Sequence, residues 1–387
     1  MRLLSATAAA VILMALSIIA VPDMVNADAL TQAILETPSG TGPGQIDPKA
    51  EPGYLGIPGG PQVNLILAFF WAIWVGWIFS TVGAFGGIMA GIGHITIYGL
   101  GNYADSFRNT SPGLNRTITD SIRVSNQFMG GLSALVSTIN YLKLGRLVWP
   151  VGLALALGSI LGSYLVPTLT AGKVSFRDYI GYFGLFVLLL GCWMLYETTP
   201  SGQKRKKKAK QAAQAFEATM KKKRSGQTID TKELGVKVMS MNLKKIVFTF
   251  FGVEFSFNPL LPVMGGFAIA SIAAFLGVGG GFILVPFLTS VAGLPMYLAA
   301  GTSAMAVLIG MLTSITSYML QGVMVHWPLI GTQLVGIVAG SMVGPRTSQY
   351  IPDKILTRIF IILAFYVGLN YMARGFLGKD IIGLIFG

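Results

Sequence analysis

Few side chains in this sequence can do chemistry, and their spacing suits holding an anion better than transforming one. His94 is the one titratable group deep in the first apolar block. An ionisable residue there is a functional candidate by default, able to pair with an anion or carry a proton near neutral pH. A neutral histidine hydrogen-bonded within its surroundings is the alternative. Further on, Gly277-Val278-Gly279-Gly280-Gly281 sets four glycines in five positions ahead of Phe282 and Pro286. Each glycine costs a helix about 1 kcal/mol relative to alanine, so the run reads as a break. The freed N–H groups then need a neighbour, water or a bound ion. A helix beginning after such a break aims N–H groups and the positive end of its dipole at whatever lies there. Close helix packing through small residues is the competing reading. Gly91 and Gly93 mark a similar stretch earlier in the chain. Ser125, Asn126 and Gln127, and later Thr302 and Ser303, are expected near the starts of the helices that follow each glycine-broken stretch. There they could bind an oxyanion, or cap and join helices.

Other chemistries find little support. Two histidines and the lone Cys192 give no metal-ligand cluster. No Lys-Ser/Thr follows the glycine run, so it is not a nucleotide phosphate loop. His94 with a membrane serine is the only pair an intramembrane enzyme could use, and its spacing matches no nucleophile pattern. Cys192 reads as a small core hydrophobe.

The elements holding these residues lie in a membrane. Of 387 residues, 53% are hydrophobic and 11% charged, against roughly 25% charged in soluble domains. No Asp, Glu, Lys or Arg occurs from Pro52 to Asn102 or from Phe255 to Pro345. The second run is far longer than one span of about 20 residues. A soluble enzyme, a nucleic-acid binder and an outer-membrane barrel with its alternating strands are excluded. The formal net charge of +13 is local, because fourteen Lys/Arg against three acids fall between Pro200 and Lys245. Such a loop marks the cytoplasmic face and suits anionic lipid, not nucleic acid.

Along the chain, 1–27 reads as a signal peptide or an uncleaved first helix, and 28–61 as an extended extracytoplasmic linker. Membrane repeat 1 covers 62–197, the basic cytoplasmic linker 198–245 with a surface helix around Lys204–Lys223, and membrane repeat 2 covers 246–387, opening on a short interfacial stretch Ile246–Phe257. The repeat is visible in identities. Leu135, Ser137, Tyr141 and Gly145 match Leu312, Ser314, Tyr318 and Gly322; Trp149-Pro150, Gly158, Gly162-Ser163 and Pro167 match Trp327-Pro328, Gly336, Gly340-Ser341 and Pro345. Carrying the match upstream sets Gly91-Ile92-Gly93 on Gly277-Val278-Gly279, and so His94 on Gly280. Lys143 and Arg146 mark an inside loop, whereas Gln321–His326 has no Lys or Arg, so the copies should run in opposite directions. The expected fold is all-α and polytopic: two inverted repeats, each a glycine-broken hairpin followed by about three transmembrane helices, as in secondary transporters.

The glycine motif ending at Pro286, with Gly301-Thr302-Ser303 and Tyr318, Gly322 and His326-Trp327 after it, resembles the sulfite exporter TauE/SafE family of membrane permeases. The likeness is strongest over 265–375. It implies a secondary transporter, an exporter of small sulfur-containing oxyanions such as sulfite or organosulfonates, in a bacterial-type inner membrane. Such a protein calls for no cofactor, and its partners are the anion and the bilayer. A passive anion channel, or an intramembrane enzyme, stays open as an alternative. His94, Gly91, Gly93, Ser125, Asn126, Gln127, Gly277, Gly279, Gly280, Gly281, Thr302 and Ser303 are the candidate substrate-binding residues.

Overall fold

A computed structural model of the chain describes residues 30–83, 86–170, 176–203, 207–227, 233–276 and 281–378. The candidate signal segment 1–27 and Gly277, Gly279 and Gly280 lie outside them. Asn64 caps the first membrane helix, α1 (Leu65–Val82), its Oδ1 accepting from the N–H groups of Ile66 and Leu67. α1 stops at Gly83, whose φ of +86° favours glycine. α2 (Gly86–Ile92) then runs into a π turn, Gly93–Ile97. α3 (Leu100–Ser106), α4 (Pro112–Lys143), α5 (Trp149–Thr170) and α6 (Phe176–Thr198) complete the first half. The second half holds α8 (Leu260–Leu276), α9 (Gly281–Pro286) with a π turn at Phe287–Val291, α10 (Met296–Leu320), α11 (Trp327–Ser348) and α12 (Asp353–Met372). Between the halves stand α7 (Lys207–Arg224) and an antiparallel sheet of β1 (Lys237–Met241), β2 (Ile246–Phe250) and β3 (Val253–Phe257). Leu65–Val82, Ile180–Thr198, Met296–Leu320, Trp327–Ser348 and Asp353–Leu377 are long and apolar enough to cross a membrane. The protein is an all-α polytopic membrane protein with a small extramembrane sheet.

The halves pack reciprocally. α1 lies along α11 of the other half, and α8 lies along α5, the counterpart of α11. Matched glycines make both contacts possible. A Cβ on Gly336 would sit 2.5 Å from the carbonyl O of Phe69 in α1, and one on its match Gly158 would strike that of Val263 in α8. α4 packs on α10, and α6 on α12.

The geometry corrects the upstream register of the repeat. The π turns at Gly93–Ile97 and Phe287–Val291 and the left-handed Gly99 and Gly293 (φ +70° and +66°) agree on a shift of 194. Gly83, Gly86 and Gly87 therefore answer Gly277, Gly280 and Gly281, and His94 answers Leu288 rather than Gly280. The shift falls to 177 at α4 and α10, so the first half is seventeen residues longer there, which accommodates α3. Gly91 and Gly93 sit in helical turns past Gly83, where α1 stops.

Three other expectations change. Ile246–Phe257, expected among the membrane segments as a short interfacial stretch, folds as two strands, with Phe248 and Phe250 buried in alternation. They are joined by a two-residue turn at Phe251-Gly252 (φ +49° and +78°), as tight hairpins require. Residues 30–61 are packed rather than extended: Leu30, Ile46, Tyr54 and Ile57 are buried against Leu100, Phe107, Leu114 and Ile118. Cys192 is exposed on α6, not part of the core.

The loops sort to two faces. Val236 N–H donates to Gly145 O (2.8 Å), Arg146 to Pro345 O (3.1 Å), and Asp353 N–H to Glu217 (2.9 Å), so the linker, the 144–148 loop and the end of α11 share one face. At the other end of α11, His326 Nδ1 accepts from Leu55 N–H (3.1 Å), placing the 321–326 loop with the N-terminal segment.

Candidate functional site

The first half's π turn carries the central side chain. Tyr98 N–H donates to Gly93 O, five residues back (2.9 Å), widening the helix where His94 projects. His94 is fully buried. Its Nδ1 lies 2.7 Å from Asn126 Oδ1 on α4, and its Nε2 lies 3.1 Å from Gln333 Oε1 on α11. Gln333 Nε2 donates in turn to Tyr98 Oη (3.4 Å), and the Tyr98 ring meets the imidazole edge-on at 5.5 Å. A neutral imidazole donates from one nitrogen only. With the ring neutral, one amide must turn to offer its NH2; with the ring charged, both amide oxygens accept. The site thus ties protonation to amide orientation.

The other candidates divide. Ser125, Asn126 and Gln127 lie in the middle of α4, not at its start, because α4 begins at Pro112. Ser125 is fully buried, and Gln127 Oε1 meets no hydrogen-bond partner among the described residues. Gly91 faces Asn126: a Cβ there would stand 3.7 Å from its Nδ2 and 3.5 Å from Tyr371 Oη, which leaves room. Gly93 has a packing task, since a Cβ would strike the Trp71 indole, whose N–H donates to Met89 O (3.2 Å) and ties α1 to α2.

Thr302 and Ser303 do lie near the start of α10, and their hydrogen bonds go to groups other than His94. Thr302 Oγ1 accepts from Val148 N–H (3.2 Å), and Ser303 donates to Ala300 O (3.1 Å). Ser303 Oγ stands beside the first break, 3.0 Å from where a Gly83 Cβ would be. Gly281 is buried at the start of α9. The equivalents of His94, Asn126 and Gln333 are Leu288, Ser303 and Leu155, the two leucines fully buried. The place related to the cluster by the repeat thus carries leucine at two of its three positions.

Gln333 and Tyr98 were not among the residues expected from the sequence. The signal for Gln333 was available: it is a lone amide in an apolar helix, where polar side chains need partners. On the N-terminal face, the buried Tyr54 shares a hydrogen bond with Ser121 Oγ (2.9 Å). Burial pushes its phenol up to about 12, so it stays protonated. Among the described residues, no group of three or more His, Cys, Asp or Glu could hold a metal.

A helix that stops at Gly83 beside a buried polar cluster, in a chain of several membrane helices, is an arrangement that suits a membrane permease. The family model for the sulfite exporter TauE/SafE matches residues 68–371, and the chain belongs to that family. Membership makes it a transporter of the sulfite-exporter type and a multi-pass membrane protein. Comparison with curated proteins and with solved structures gives no match.

Proposed function

We propose that this protein is a secondary transporter exporting small sulfur oxyanions, sulfite or an organosulfonate, across a bacterial-type inner membrane. The observation that carries the reading is the buried imidazole of His94 between Asn126 and Gln333. Removing such a group from water is costly unless it is bonded, and the place related to it by the repeat holds Leu288 and Leu155 instead. His94, Asn126 and Gly91 form the anion's contact in the first half. Backbone N–H groups of the break spanning Gly277, Gly279, Gly280 and Gly281 form it in the second, with Ser125, Gln127, Thr302 and Ser303 lining the approach.

The halves are inverted repeats in this reading. Support comes from the reciprocal pairing of α1 with α11 and α8 with α5. The loops holding Gly145 and Gly322 also meet opposite ends of α11. The linker face, with its surplus of Lys and Arg, is cytoplasmic, and its positive charge attracts anionic lipid as well as substrate.

The test is uptake into proteoliposomes of sulfite, sulfate, thiosulfate and sulfonates, with and without an imposed pH gradient. Flux of a sulfur oxyanion that responds to the gradient and falls at least tenfold in His94→Leu supports the reading. Equal flux of all anions, with current and no coupling, makes the protein a channel; no flux of any sulfur anion removes the assignment.

A further inference from the structure

Arg146 is fully buried, and the Asp353 carboxylate acts on its charge through space. Its guanidinium donates to Pro345 O (3.1 Å) and Ser348 Oγ (3.3 Å), and its Nε meets no partner among the described residues. Three rings surround it, Tyr141 at 4.8 Å, Tyr297 at 5.2 Å and Phe216 at 5.3 Å from Cζ to centroid. Such faces attract a cation but leave its hydrogen-bonding capacity unspent. Phe216 comes from the linker, on the buried stripe of α7 with Ala209, Ala212, Ala213 and Met220. The next residue, Glu217, accepts from Tyr297 Oη (3.1 Å) and from Asp353 N–H (2.9 Å), fastening α7 to the ends of two membrane helices.

Arg146 also lies at the end of a line of hydroxyls. On α4, Asn126, Ser133, Ser137 and Tyr141 fall on one face by helical spacing. Asn126 meets His94; Ser133 Oγ is 2.7 Å from Ser341 Oγ on α11; Tyr141 donates to Ser80 O on α1 and lies under Arg146. Between them, the buried hydroxyl of Ser137 and that of the adjacent Thr138 have no partner among the described residues. Buried polar groups left unbonded are rare and ask for a reason. An oxyanion passing along this face would bond to Ser137, the one of the two that lies on it.

We propose that the α4 hydroxyls lead a small oxyanion from the His94 cluster to Arg146, its binding group at the linker face, and that Phe216 and Glu217 cover Arg146 as a strap that lifts for passage. The proposal rests on the transport reading for the identity of the anion, but its test needs no flux. The full chain carries Cys192→Ser and the reporter Ser137→Cys, and methanethiosulfonate reagents bearing a sulfonate or a trimethylammonium group are applied from the linker face. The intact strap should keep labelling slow. Glu217→Gln should raise the sulfonate reagent's rate about threefold, and Phe216→Ala with Glu217→Gln at least tenfold. Adding Arg146→Gln should abolish the preference for the sulfonate over the cation, while Arg146→Lys keeps it. A cysteine at the buried Ala156 on α5 checks folding; should it label in the double variant, Glu217→Gln alone carries the test. Unchanged rates on loosening the strap, or an unchanged charge preference in Arg146→Gln, overturn the proposal. Missing sulfur-anion flux with these labelling results intact would instead remove the transport reading.

Discussion

His94 Nε2 lies 3.1 Å from Oε1 of Gln333, 239 positions later and in the other half of the chain. The contact joins the first half's π turn to α11, so the site exists only when both halves are assembled. Gln333→Leu, which copies Leu155 of the opposite half, leaves a buried ring nitrogen without its partner. Stability should fall by about 1–3 kcal/mol, read as a lower thermal midpoint in detergent. An unchanged midpoint would mean that the bond contributes nothing.

A charged His94 attracts an anion that a neutral ring does not. Anion affinity should strengthen as pH falls and level off once the free ring is fully charged. A fully ionised sulfonate is the right ligand, because sulfite itself titrates near neutral pH. His94→Gln keeps a hydrogen-bonding group and removes the titration, so it should bind with a flattened pH profile. A wild-type profile in that variant would make His94 purely structural.

The glycines separate by what surrounds them. A Cβ on Gly340 would strike the α1 backbone, 2.8 Å from Trp77 N with Ile73 O closer still, whereas Gly310 and Gly331 have open space. Gly340→Ala should cost about 1–3 kcal/mol, and Gly310→Ala or Gly331→Ala should gain about 0.5–1 kcal/mol. Gly93→Ala should destabilise and Gly91→Ala should not, by the same thermal assay. Equal effects across the set would contradict the packing described.

Sidedness is open to direct labelling. In a Cys192→Ser background, Lys143→Cys and Gln321→Cys, both exposed, should react with an impermeant thiol reagent from opposite sides of a sealed vesicle. Reaction of both from one side would rule out inverted repeats.

His326 offers a pH effect on the N-terminal face. Burial lowers its pKa from the ordinary 6.5, and its Nδ1 accepts from Leu55 N–H. Protonation would take that acceptor away. The stabilisation is therefore complete above 6.5 and is lost as pH falls through the lowered value. Proteolysis within the 54–58 turn should quicken over that range, and His326→Gln should make the rate independent of pH there.

The helical membrane class was legible because charge-free runs as long as Phe255–Pro345 admit no other reading. The downstream repeat was legible too, because it rests on rare residues, Trp149-Pro150 against Trp327-Pro328. Upstream, glycine alone set the alignment, and with 49 glycines in the chain a false register is easily found. Backbone features, the π turns and the left-handed Gly99 and Gly293, corrected it. The burial of His94 was legible from its place in a charge-free run, but its partner Gln333 depends on a contact between halves that no local pattern records. The strands at 246–257 alternate with period two, a signal masked by their aromatic content and by the apolar helix that follows.

The reciprocal pairing of hairpin helices has a consequence for how the chain is made. α5 ends at Thr170 and its partner α8 at Leu276, whereas α1 ends at Val82 and waits for α11, which ends at Ser348. At a synthesis rate of about 5–20 residues per second, the first pair can close roughly 5–21 s after α5 appears, the second only roughly 13–53 s after α1. During that interval the groove at Gly76, against which Ile337 and Ser341 later pack, faces lipid or the insertion machinery. The helix that enters the bilayer early is thus among the last to be seated, and a ribosome that stalls in the second half leaves it stranded.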